Sequence, residues 1–497
     1  MAVYFPYNFG GESGRSGGDS IQVNALPTAS AENLGKVYQY IGETTPNRIN
    51  GYFYKCVEGS TSGTYEWSNI DVQNNGSGGT NIYYDVIPAH TYLYGFDINT
   101  LDSNPDTRVT YPIDVDNFGY SPAYMDFTND IFVYGDWDLD PGEHFMPRPC
   151  MLNTDTTVAY YLNPNNYTKK ADDTNSDVTD LTFDGNAMME WGKIYTYRSM
   201  DNNGIYRFRC SDVKLGSKWE CWCNYDQQNN VIPHFYTPIY NGVDNNNKIR
   251  SISNNGSPCV HLSPENMMSH AKSVGESYCI EVLADRLLID DLLVLMAKTT
   301  DGKRAYGDGR SSSFSYTGAL NNKGLFYGDK YNYSGHLGVK VFGMEHYWGN
   351  VGRVTAGFIT NNGHVYTKIT RGTKDGSSAS DYNMTGTGYI DNGYFSSSTS
   401  YTSYYWSDKV FDYGRLPNIK GAFYYSNGSY TVYNCDYYSI SFINDAAYCV
   451  LFGRGNYSSY ATSDIGPFAI RTVDSTVSQS GSNTYMGCGL SCKPLLA

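Results

Sequence analysis

Short runs of alternating apolar and polar residues recur along most of the chain, each closed by a cluster of glycine, asparagine, aspartate, serine or proline. The period of two predicts strands and the clusters predict turns. Early in the chain the runs are VYQYI at 37–41, GYFYKCV at 51–57 and YEWSNIDV at 65–72, which predict a small β module over 21–75. The polar stretch QNNGSGGTN at 73–81 closes it off. Between 82 and 240, TYLYGFDI, DIFVYGDW, TVAYYL, KIYTYRS and YRFRCSDV predict a second, middle β-rich domain. No self-similarity at a period of 20–50 residues points to a solenoid or propeller.

The period changes only between 263 and 299. Ser263, then Pro264 at the first helical position and Glu265, predict a short helix to Lys272. Over Tyr278 to Thr299, Val282, Leu283, Leu287, Leu288, Leu292, Leu295 and Met296 recur near helical spacing, while Asp285, Arg286, Asp290 and Asp291 interrupt the stripe. That pattern predicts a core helix packed against a sheet. After Tyr306 glycine-punctuated strands return, and the closing MGCGLSCKPLLA predicts a strand tied back into the fold. The expected fold is a β-rich multidomain chain whose C-terminal part is α+β. It consists of an attachment arm at 1–20, the β module at 21–75, the middle domain at 82–240 and a display domain with two helices at 249–497.

Composition narrows the function. With 497 residues and 17% charged, the chain can bury a sizeable core. A net charge of -15 opposes phosphate backbones and anionic membranes, so neither nucleic acid binding nor membrane insertion is expected. Residues 1–25 lack the apolar core of a secretory signal, and Asp290 and Asp291 interrupt the most apolar segment. The 11 cysteines are odd in number and scattered, which predicts reduced, buried thiols. The Gly/Ser-rich first 20 residues read as an arm that orders on a partner.

From Phe423 to Ile470, tyrosine, asparagine and serine crowd between short apolar anchors. Antibody loops use this set because tyrosine gives large contact area at low entropic cost, and serine and asparagine give adaptable hydrogen bonds. Tyrosine is also a good strand former, so plain half-buried sheet is the competing reading. A recognition surface on a chain made in a reducing compartment suggests a particle component released by lysis.

Catalytic chemistry finds little support. Asp136, Asp138 and Asp140 in DWDLDPGEH resemble the start of a calcium loop, but Pro141 replaces the required glycine and no glutamate closes it. Cys221 with Cys223, and Cys488 with Cys492, lack zinc-finger spacing. His346 beside Glu345, and His234, are base candidates with no nucleophile placed by the sequence, and GDGR at 307–310 lacks the context of a phosphate loop. No catalytic residue, metal or cofactor is assigned.

At 340–353, KVFGMEHYWGNVGR resembles the motif region of C-type-lectin-like domains of the formylglycine-generating-enzyme type. With FGRGNYSSY and GPFAIRTV, this resemblance spans Ile249 to the end of the chain. Gly352 stands where that enzyme type has a second tryptophan, and no copper-binding cysteine pair matches, so its oxidase activity is not implied. More broadly, the chain is similar to structural proteins of phages and prophages of gut bacteria. The similarity rests on LPTASAENLGKVYQYIG, FMPRPCMLN, YYLNPNNYTKKADD, GNAMMEWGKI, EVLADRLLIDDLLVLMAKT and GLSCKPLLA.

The resemblance implies a virion location and, as in lectin-fold tropism proteins diversified by retroelements, variable exposed positions on a constant framework. Here these would be Tyr437, Tyr438, Ser439, Ser441, Asn444, Asn456, Tyr457, Ser458 and Tyr460, over Phe452, Gly453, Gly466 and Phe468. The implied role is a tail-fibre or receptor-binding adhesin. Its expected partners are a host surface glycan or protein, other virion proteins through the arm, and further copies of itself in a homo-oligomer such as a trimer. A head or tail decoration, or a glycan-cleaving tail enzyme, is the rival reading.

Overall fold

The protein is described by a computed structural model, which covers residues 21–69 in part, 91–309 almost throughout, 315–330, 338–361, 364–368 and 486–496. It also covers Gly466–Pro467 and, between 389 and 474, short strands separated by residues it does not describe. The expected runs of the small module are strands: Val37–Tyr40, Phe53–Glu58 and Tyr65–Asn69 form an antiparallel series. Ile21–Val23 adds to it in parallel with Val37–Tyr40.

The larger body is organised by Gly185–Trp191, all seven of whose residues are buried. Its sequence, GNAMMEW, does not alternate because both faces are covered. Antiparallel partners Arg148–Asn153 and Phe235–Pro238 flank it. The sheet continues through Val158–Asn163 to Asn166–Lys170 on one side, and through Leu490–Cys492 to Tyr278–Ile280 on the other. Tight turns in this half reuse one device. Asp155, Asp172 and Asp180 each accept the amide and hydroxyl of the threonine two residues on, at 2.6–3.0 Å. These turn bonds substitute for the strand ladder where the chain reverses.

A four-stranded antiparallel sheet, ordered Tyr195–Met200, Ile205–Ser211, Leu93–Asn99 and Val109–Thr110, packs into the same body. Three helices occur among the described residues: α1 (Pro264–Lys272), α2 (Leu283–Ala297) and α3 (Gly302–Tyr306). As expected, Ser263 caps α1, its Oγ accepting the Asn266 amide at 3.2 Å. The long helix is shorter than its periodicity suggested. Tyr278–Ile280 is a strand paired with Leu490–Cys492, and Val282 is extended at φ -106°, so α2 begins only at Leu283. α3, capped by Asp301, is too short to leave a periodic signal.

Every residue of α2 is buried, its charges included. Asp285 pairs with Lys493 at 2.5 Å, and Asp291 with Arg198 at 2.9 Å and the Tyr206 hydroxyl at 3.1 Å. Arg286 pairs with Asp290 at 3.2 Å. The charges that interrupt the apolar stripe are therefore not a solvated face. Each meets an opposite charge from another part of the core or from its own helix.

The third large sheet runs Ile390–Tyr394, His364–Thr367, Gly352–Asn361, Ala447–Phe452, Ile470–Asp474, Tyr437–Ser439 and Thr402–Ser403, with Met486–Gly487 alongside Gly352–Asn361. It joins the first body where the Ala356 amide donates to the Glu281 carbonyl at 2.9 Å. One buried cluster runs from Tyr92 to Cys492. The sheet holding 148–238 also holds 278–280 and 490–492, so packing is continuous across the join expected at 240–249. The β-rich class stands.

Candidate recognition site

The candidate residues divide sharply. Tyr437, Tyr438 and Ser439 form a strand, with Tyr438 opposite Thr402 on one side and in parallel register with Ile470 on the other. Ser441, Asn444, Asn456, Tyr457, Ser458 and Tyr460 lie outside the described residues, as do the framework positions Gly453 and Phe468. Phe452 ends the strand Ala447–Phe452, opposite both Arg353 and Ile470, and Gly466 is buried.

Phe452 and Ile470 are direct partners at one end of the sheet. Tyr438 pairs with Ile470 at that same end. Ala447 pairs with Asn361 at the opposite end. Of the candidate residues, Tyr437, Tyr438 and Ser439 are thus placed near the end where Phe452 and Ile470 pair.

Beneath that end lies a group of charges that sequence reasoning passed over. The Arg286 guanidinium donates to the Pro467 carbonyl and lies 4.0 Å over the Tyr347 ring. Arg353, in register with Phe452, donates Nε to Asn241 Oδ1 at 2.9 Å. Both arginines approach the Glu281 carboxylate, Arg353 at 3.7 Å and Arg286 at 4.0 Å, and all three side chains are fully buried. The departure point at Phe452 and the return through Pro467 are therefore each tied to an arginine, and the two arginines share one carboxylate. Burial pulls Arg353 below its ordinary value. For Arg286 burial acts in the same sense, but Asp290, Tyr347 and Glu281 outweigh it and hold the guanidinium above its ordinary value. The available signal was a charge inside an apolar run, which sequence alone reads as a helix face.

The neighbouring motif segment is equally committed to structure. Val339–Val341 and Met344–Glu345 form a hairpin whose two turn residues, Phe342 and Gly343, both have positive φ, at 47° and 77°. A left-handed phenylalanine costs on the order of 1–2 kcal/mol. Its ring is buried against Trp191, Phe326 and Phe145, and burial of that size offsets the cost. Glu345 Oε1 and Oε2 accept the amides of Gly318 and Leu320 at 2.9 and 2.8 Å, and Lys340 Nζ donates to the Leu320 carbonyl at 3.0 Å. Burial raises the Glu345 carboxyl and lowers the Lys340 ammonium, as in a proton-transfer pair. Both groups are nonetheless spent on one loop, and His346 beside them is buried with its Nε2 3.9 Å from Glu345.

Asp136 accepts the Ser121 amide at 2.7 Å, and no three metal-ligating side chains gather among the described residues. Cys221, Cys223, Cys488 and Cys492 are buried, and burial pushes the thiols of Cys221, Cys223 and Cys492 up, away from the reactive thiolate. His234 is partly exposed. No helix among the described residues is long and apolar enough to cross a membrane. No protein-family model matches the chain, and no curated protein matches it.

Proposed function

We propose that this protein is a non-enzymatic component of a phage particle that attaches to a host surface glycan or protein through its Tyr/Asn/Ser-rich C-terminal region. In this reading residues 1–75 hold it to other virion proteins, and the region from 249 onward is a C-type-lectin-like display domain in a homo-oligomer. The observation that carries the reading is the strand register. It brings Tyr437–Ser439 to the sheet end where Phe452 and Ile470 pair, the two strand ends that bracket residues 453–469 in the sequence. Variable loops on a rigid sheet are the usual construction of a recognition surface, because the scaffold meets the ordering cost that loops alone would carry. The buried arginines under Phe452 and Pro467 supply that rigidity.

Substitution of single tyrosines tests it. Interface energy concentrates in a few aromatic anchors, each costing about 2 kcal/mol, or about 30-fold in affinity, on truncation. Tyr437→Ala, Tyr438→Ala, Tyr457→Ala and Tyr460→Ala should therefore weaken attachment to host cells with little change in melting temperature. Normal attachment by all four, or early melting of all four, would remove the receptor role from this stretch.

A further inference from the structure

We infer that the groove between Phe235–Pro238 and Tyr278–Ile280 is a peptide-binding site in its own right, whose ligand is the extended segment Met486–Leu496 anchored by Lys493. Leu490–Cys492 lies between those strands, antiparallel to both, with Cys492 opposite Tyr236 on one side and Tyr278 on the other. A strand in that position completes a sheet from within. Without it the two neighbours would face each other across an empty lane, each with unpaired main-chain groups.

The contacts read like those of a bound peptide. Main-chain bonds continue beyond the strand: the Gly242 amide donates to the Cys488 carbonyl at 2.8 Å, the Glu281 amide to Gly489 at 3.0 Å, and the Lys493 amide to Ser277 at 2.8 Å. Specificity comes from the side chains. Lys493 Nζ donates to Asp285 Oδ1 at 2.5 Å and to the Cys223 carbonyl at 2.7 Å, and sits 4.3 Å over the Phe235 ring. Gly489 admits the segment past Pro238, because a Cβ there would come within 2.9 Å of Pro238 Cγ. Strand addition draws affinity from the main chain and selectivity from such pockets. Before it reaches the groove, the segment passes beside Gly352–Arg353 as Met486–Gly487, so the same ligand ties two sheets together.

The segment is also separable in principle. Lys493 and its partner Asp285 are 208 residues apart in the chain, and the polar connection STVSQSGSNTY at 475–485 offers only Val477 and Tyr485 for burial. A protease site is inserted in that polar stretch. The full chain carrying such a site is folded, cut and passed through gel filtration, where the cut segment should stay with the body. After denaturation and removal of the segment, the body is refolded with a synthetic peptide of residues 486–497. The melting transition of the uncut protein should return. A peptide carrying Lys493→Ala should need about 100-fold more to do the same, since it leaves Asp285 buried without its cation. Loss of the segment on cutting, full recovery without peptide, equal rescue by both peptides, or rescue by neither would overturn the proposal.

Discussion

Glu281, Arg286 and Arg353 set the character of the core at the level of single residues. Removing one member of a buried charge group costs about 3–5 kcal/mol, because the partners stay buried with their charge uncompensated. Glu281→Gln keeps the shape and should lower the urea midpoint by a stability loss of that order. It should also speed proteolysis between Phe452 and Pro467 at temperatures well below melting. An unchanged midpoint would show that the two arginines are satisfied without Glu281. Glycine is decisive at one place above all. Gly349 has φ 93°, and a Cβ there would come 1.7 Å from the Gly309 carbonyl oxygen, so Gly349→Ala should destabilise by about 3 kcal/mol or more in thermal melts.

Elements show how local devices serve the fold. Asp155, Asp172 and Asp180 sit below the usual carboxylate range because the threonine hydroxyl two residues on, and then its amide, bond to the charged form. A carboxyl lowered on folding stabilises above its unfolded value, and that contribution is lost as pH falls through the folded one. Stability should therefore fall in the acid range below the ordinary carboxylate value. Thr182→Val should move the Asp180 titration, followed by NMR, back up towards that value, and an unmoved midpoint would remove the threonine from the account. α2 makes the complementary case. Leu288 is 2% exposed, and Leu288→Asp would add a charge with no partner provided, so a loss on the order of 4 kcal/mol or more is expected. Wild-type thermal stability in that variant would take the helix out of the core.

For the whole molecule, the continuous sheet from 148 to 492 and the buried cluster from Tyr92 to Cys492 pack the expected middle domain together with the described parts of 249–361 and 486–492. The module at 21–69 forms a sheet of its own. Under the proposed function, a chain beginning near Asn81 should still attach to host cells but fail to enter particles. Particle assembly with loss of attachment would reverse the two roles.

Strands and turns were legible in the sequence because their causes are local. Alternation, threonine after aspartate, and the serine and proline opening α1 act within a few residues, and each expected strand of the small module is present. The return of GLSCKPLLA into the fold was legible as a strand, but its place between two others was not. The exchange of Tyr278–Ile280 from helix to strand was equally hidden, since it depends on a partner, Leu490–Cys492, far along the chain. The same holds for the charges of α2. Periodicity reports how apolar a face is, whereas whether Asp285, Arg286 and Asp291 meet water or Lys493, Glu281 and Arg198 depends on which segments tertiary packing brings beside them. Composition singled out the Tyr/Asn/Ser stretch, but only strand register, a long-range property, brings Tyr437–Ser439 to the sheet end where Phe452 and Ile470 pair.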